Sequence, residues 1–107
     1  MNEIRGVLRR YEAAWESLNY EALAAVQRLS PREGETVQSF MKNTRQYQIE
    51  MSPPEIELTA DGRRATARAT VTRRHPRPIG SGDNVTNQAT TFHLERSGER
   101  WMIVAIK

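Results

Sequence analysis

The chain contains no cysteine. That excludes a disulfide framework, a thiolate zinc site, an iron–sulfur cluster and a cysteine nucleophile. Its two histidines, His75 and His93, offer too few ring nitrogens for a histidine-rich metal site, and no metal or other cofactor is expected. Long apolar runs are missing as well. The longest, Trp101 to Ile106, has six residues, far short of the ~20 that span a bilayer. The first residues lack the apolar stretch of a signal peptide, so no membrane insertion of this segment is expected. Lysine and aspartate are scarce, with 2 Lys beside 14 Arg and 2 Asp beside 11 Glu. Both aspartates adjoin glycine, in Asp61-Gly62 and Gly82-Asp83, where short polar side chains favour turns.

What is present is a chain of 107 residues, 37% of them hydrophobic. At this size about two-thirds of the unfolded surface is buried without help from disulfides or metal, and the chain is read as one domain over residues 1–107. Charge is uneven along it. Residues 1–60 carry 7 basic and 9 acidic side chains (net −2), and residues 61–107 carry 9 and 4 (net +5). The basic part, with Arg63, Arg64, Arg68, Arg73, Arg74 and Arg77, suggests an anion-binding surface as one function class.

Ile4, Val7, Leu8, Tyr11, Ala14, Trp15 and Leu18 recur at three- and four-residue spacing and predict an amphipathic first helix. Asn19 can cap a second, shorter helix with Tyr20, Leu23, Val26 and Leu29 along one side. Ser30-Pro31-Arg32-Glu33 places a cap serine, a first-turn proline and a glutamate three after the cap. That capping box starts a third helix with Val37, Phe40 and Met41 inward. Gly34 weakens it by about 1 kcal/mol relative to alanine.

After Asn43 the period becomes two. Tyr47, Ile49 and Met51 are apolar at odd positions, Ile56 and Leu58 at even ones. A bulge at Pro53-Pro54 would return both sets to one face, which predicts a single long kinked strand near a sheet edge. Ala60-Asp61-Gly62-Arg63 predicts a hairpin. The returning strand puts Ala65, Ala67, Ala69 and Val71 on one face, with Arg64, Thr66, Arg68, Thr70 and Thr72 on the other. A loop is expected from Pro76 to Asp83, and His75, beside it, is read as loop. A third strand follows from Val85 to Arg96, with Thr90, Phe92 and Leu94 on one face. Ser97-Gly98 then turns it into the last strand, Trp101 to Ile106. All seven aromatic residues fall on predicted apolar faces, and the arginines form no long run. Both facts weigh against nucleic acid, which needs an exposed stacking platform or a continuous basic track.

Three helices followed by an antiparallel four-stranded meander give an α+β fold, helices packed on one side of a curved sheet. The order resembles the nuclear-transport-factor-2-like superfamily of cone-shaped α+β rolls, which includes SnoaL-like polyketide cyclases and ketosteroid isomerases. The resemblance is carried by Ile4…Leu8…Tyr11…Ala14-Trp15…Leu18-Asn19…Leu23, by Asp61-Gly62-Arg63-Arg64-Ala65-Thr66-Ala67, and by Phe92-His93-Leu94…Gly98-Glu99-Arg100-Trp101-Met102-Ile103. The entry to the third helix, Leu29-Ser30-Pro31, is similar to compact accessory domains of bacterial multidomain proteins. This likeness implies a domain cut from a larger protein, in the bacterial cytoplasm or outside the membrane that anchors its parent.

The resemblance also implies a pocket between helices and sheet, and it makes Tyr11, Trp15, Phe40, Tyr47, Phe92 and Trp101 its candidate lining. From the residues alone, Tyr11, Trp15 and Trp101 read first as core side chains. Enzymes of the superfamily need a carboxylate base and an oxyanion donor. Tyr11 matches the donor. The base would sit on a short strand after the second helix, which this sequence lacks. Thr90 and Thr91 stand where a second acid belongs, and Asn19 stands where the family often has aspartate. The leading expectation is therefore a non-catalytic ligand-sensing or dimerisation module that takes a small apolar or amphipathic ligand. The alternative is an isomerase, dehydratase or cyclase using Tyr11 as oxyanion donor. Thr66, Arg68, Thr70, Thr72, Thr91 and His93 form the candidate homodimer face, as the outer sheet does in the superfamily.

Overall fold

The computed structural model describes residues 2–77 and 80–107; Pro78 and Ile79, inside the predicted loop, lie outside the described residues. Three helices come first, α1 (Asn2–Glu16), α2 (Tyr20–Ala24) and α3 (Pro31–Lys42). Strands β1 (Gln48–Met51), β2 (Glu55–Leu58), β3 (Arg64–Pro76), β4 (Asp83–Ser97) and β5 (Arg100–Ile106) follow. They make one open antiparallel sheet in which β1 and β2 both pair with β3, and β4 and β5 come next in order. The helices lie on one side of it, the α+β arrangement expected from the sequence.

Local chemistry sets the helix ends. Leu18 has a positive φ of 52°. The Leu18 amide donates to the Trp15 carbonyl at 3.1 Å and the Asn19 amide to the Ala14 carbonyl at 2.9 Å, the paired bonds of a Schellman ending. Leucine in this region is strained, and its contact with the core holds it there. The tight turn brings Asn19 directly to the start of α2, where its side chain accepts from the Ala22 amide at 3.1 Å. The capping box of α3 is present, with Ser30 Oγ accepting from the Glu33 amide and Glu33 Oε1 accepting from the Ser30 amide. The backbone bond holds the Glu33 carboxyl below its ordinary pKa. This contribution is therefore present above the ordinary glutamate range and is lost as pH falls through the lowered value.

The expected kinked strand is two strands in one sheet position. Met51 stands opposite Val71 and Glu55 opposite Arg68. Three residues, Ser52 to Pro54, therefore face only Ala69 and Thr70. Ser52 binds Thr70 through both its amide and its hydroxyl, which leaves the two prolines opposite Ala69, where no ladder donor is needed. The extra residue switches parity, so Ile49 and Ile56 point to the same face, opposite Arg73 and Ala67.

Ala65, Ala67 and Ala69 are buried on that inner face, and α1 runs against β1 and β5. Ile4, Val7, Leu8, Tyr11 and Ala14 of α1 share one core with Ala65, Ala67, Phe92, Leu94 and Ile103. After α2, Gln27 makes a one-residue parallel bridge with Ile103. This is all the strand that follows α2, and Val26 to Arg28 supply no acid. Strands β3 and β4 stay paired up to Pro76 and Asp83, which gives the molecule its 50 Å long axis. His75 is thus a strand residue, which corrects the expectation of a loop. The inward alternation of β3 passes beyond Val71 to Arg73 and His75.

Candidate functional site

Beyond the alanines, the inner face of the ribbon carries larger polar groups, and α3 stands across from them. Between them lies a cavity of about 380 Å³. Trp15 of α1, Phe40 of α3, Tyr47 before β1 and His75 of β3 supply its rings. Thr36 and Val37 complete the helical side; Asn84 and Thr86, opposite His75 and Arg73 in the β3–β4 ladder, complete the sheet side. Tyr47 and His75 are stacked, with centroids 5.8 Å apart and planes 4° from parallel. Phe40 meets both edge-on, at 5.8 and 5.2 Å. Trp15 lies 5.0 Å from Tyr47 and 6.0 Å from Phe40. Every contact is in the range of a favourable aromatic pair.

Arg73 also lines this cavity. Its Nη1 donates to the Tyr47 hydroxyl at 3.0 Å and its Nη2 to the Tyr11 hydroxyl at 2.7 Å. The guanidinium carbon lies 5.6 Å from the Trp15 ring centroid and 5.7 Å from that of Tyr11, within cation–π range. Burial works against the charge, but Tyr11 and Tyr47 outweigh it, and the pKa of Arg73 stands above its ordinary value. The group is charged at any physiological pH. Among the described residues no carboxylate lies within 4.0 Å of it. The indole Nε1 of Trp15 is buried and has no hydrogen-bond partner among the described residues, an arrangement that costs about 1–3 kcal/mol.

The six candidate lining residues separate. Trp15, Phe40 and Tyr47 share the cavity; Tyr11 and Phe92 lie beneath, 2% and 0% exposed, in edge contact at 5.4 Å. Trp101 belongs to another groove, of about 690 Å³, between α1, α2 and the turn before β5. That groove is the larger, but small side chains and a balance of Glu3 and Glu99 against Arg10 and Arg100 line it. Its charged groups are of both signs, two acids and two bases. The aromatic cavity, with convergent donors, is the better candidate. Thr66, Arg68, Thr70 and Thr72 lie on the outer face of β3, with His93 and Thr91 opposite Thr66 and Arg68.

Arg73 and His75 continue the inward alternation of β3 past Val71, where the sequence pattern of apolar residues ends. Counting on by twos from Ala65 would have turned both inward. The arginine surface changes accordingly. Arg73 is inside, Arg68 faces Glu57 at 3.6 Å, and Arg74 faces Asp83 at 3.5 Å.

No protein-family model matches the sequence, and no curated protein aligns with it. Its structure does match. A nuclear-transport-factor-2-like superfamily protein from Salmonella enterica superposes with a TM-score of 0.81 at 16% identity, over 98% of this chain and 86% of that one. The chain has the nuclear-transport-factor-2-like fold. A hexachlorocyclohexane dehydrochlorinase shares this fold with a TM-score of 0.77 at 10% identity, over 98% and 80% of the two chains. So does a Xanthomonas campestris protein assigned as a calcium/calmodulin-dependent protein kinase II association domain, at 0.76 and 14%, over 97% and 82%. The nuclear-transport-factor-2-like fold thus carries chemistry in one relative and another role elsewhere, and function has to be argued from the side chains.

Tyr11, the oxyanion donor that the resemblance implies, is buried and its hydroxyl accepts from Arg73. Thr90 is on the inner face of β4, opposite Ala69. Among the described residues none of the cavity's lining side chains is an acid. His75 is its one imidazole, and its Nδ1 lies 3.3 Å from the Pro76 carbonyl.

Proposed function

We propose that this chain is a non-catalytic small-molecule-binding module whose site is the aromatic cavity at the open end of the fold. The observation that carries the reading is the combination of a ring-walled cavity with a positive group and no lining carboxylate. Proton abstraction next to a carbonyl needs a positioned base, and the one candidate among the described lining residues is the His75 imidazole, stacked on Tyr47 and paired with no carboxylate. Binding needs only concave apolar walls and a few fixed polar groups.

Native mass spectrometry of the purified chain tests the reading, followed by incubation with cyclic ketones and aromatic acids. An exchangeable small-molecule adduct without turnover supports it. Steady turnover of any such compound, slowed steeply in Tyr11→Phe, would replace it with the isomerase, dehydratase or cyclase alternative.

Pairing of chains is the second reading, favoured by the uncovered outer face of the long β3–β4 ribbon and compatible with the first. Thr66, Thr72, Thr91 and His93 are half-buried there beside exposed Arg68 and Thr70. A face of this kind suits cross-strand contacts in a moderate homodimer interface. Changing Arg68→Glu together with Thr70→Glu is expected to convert dimers to monomers in the same mass measurement. Dimers that survive the double change would exclude this face.

A further inference from the structure

We propose that the cavity takes a flat organic anion, a one- or two-ring aromatic carboxylate, with its carboxylate on Arg73 and its ring among Trp15, Phe40, Tyr47 and His75. The inference rests on reading this cavity as a binding site and adds the class of ligand.

The polar groups here are unbalanced in one direction. Arg73 uses one bond to Tyr47 and one to Tyr11, and a guanidinium has further N–H donors beyond these. Both tyrosine hydroxyls act as acceptors in those bonds, so each keeps its own proton for an acceptor, and none is found among the described residues. The Trp15 Nε1–H is buried and likewise has no acceptor. Arg73 and the Tyr47 hydroxyl therefore bring unmatched donors to one cavity with no acid among its described lining residues. A neutral apolar ligand would leave them unmatched, and a cation would meet Arg73. A carboxylate is acceptor-only and can take several donors at once.

The walls choose the rest of the molecule. The stacked Tyr47 and His75 rings, with Phe40 edge-on to both, present ring faces and edges that favour another flat ring. A volume of about 380 Å³ lies at the lower end of the roughly 300–1,000 Å³ of small-molecule sites, which limits the ligand to one or two rings. Inorganic phosphate would use the guanidinium but leave the aromatic walls empty. Arg45 and Arg77 line the adjoining depression, which shares Phe40, His75 and Asn84 with the cavity, and their charge draws anions toward this end.

The test is calorimetric titration of the chain with benzoate, 2-naphthoate, 2-naphthamide and inorganic phosphate. One of the two carboxylates should bind about tenfold or more tightly than the amide, the difference that hydrogen bonds to a charged group supply. Phosphate should bind weakly or not at all. In Arg73→Met the preference for 2-naphthoate over the amide should disappear. If that variant does not fold by circular dichroism, Arg73→Lys serves instead. It keeps the charge but loses the fork held by both tyrosines, and the preference should fall. Equal binding of amide and carboxylate would overturn the anion class and leave the cavity as a binding site. Phosphate binding as tight as that of the carboxylates would overturn the aromatic half of the proposal. Failure of all four probes would overturn the class and the binding reading together.

Discussion

Phe92→Ala is expected to destabilise the fold by about 3–5 kcal/mol. Phe92 is fully buried, stands opposite Ala67 in the ladder and meets the Tyr11 ring edge-on at 5.4 Å. The cost of such a truncation depends on how far the neighbours collapse into the space left behind. Here they are poorly placed to do so, because Ala65, Ala67 and Ala69 on the same inner face have no side-chain length to move into the gap. A loss of this size is a large part of the roughly 5–15 kcal/mol that holds an ordinary domain together. Denaturant unfolding should show the midpoint falling with the slope preserved. The effect should reach the cavity as well, since Tyr11 packs on Phe92 and also holds one nitrogen of Arg73. A loss below about 1 kcal/mol would mean that the helices settle onto the sheet after the truncation and fill the gap.

Thr86→Trp is expected to abolish binding in the cavity while leaving the fold intact. Thr86 is exposed, lies directly opposite Arg73 and lines the cavity from the β4 side. Tryptophan is well accepted in strands, and at this position its ring would occupy the space beside the guanidinium where a ligand ring has to lie. Affinity for the best aromatic carboxylate should drop by about a hundredfold or more, equivalent to about 2.7 kcal/mol, with little change in the unfolding midpoint. Undiminished affinity would place the bound molecule elsewhere, and the α1–α2 groove with Trp101 would become the site to examine.

Much of the architecture could be read from the chain, because each signal was local. The stripe from Ile4 to Leu18 required a helix, Ser30 with Glu33 required a capped start, and the parity change across Pro53-Pro54 required an extra residue. The candidate site was harder, because it depends on where paired strands stop. Arg73 and His75 follow Val71 at inward positions, yet a charged side chain and the nearby Pro76 argued for solvent and loop. Inward arginine is costly in an apolar core. It persists here because the Tyr11 and Tyr47 hydroxyls reach it from α1 and from the residue before β1, across long stretches of sequence. No window of neighbouring residues contains that contact. Trp101 shows the converse case. Its apolar position was legible, but which side of the helices it would face was settled by α2 and by the Gln27 bridge to Ile103.

The account stands or falls on whether a ligand enters among Trp15, Phe40, Tyr47 and His75. The most direct measurement is a nitrogen–proton NMR titration of the chain with 2-naphthoate, following the indole N–H signals of its two tryptophans, assigned through Trp15→Phe. Trp15 lines the cavity with an unpartnered N–H, whereas Trp101 lines the opposite groove. The Trp15 signal should shift as the ligand ring packs beside its indole, with the Trp101 signal nearly still. A stationary Trp15 signal, or a larger movement at Trp101, would contradict the account.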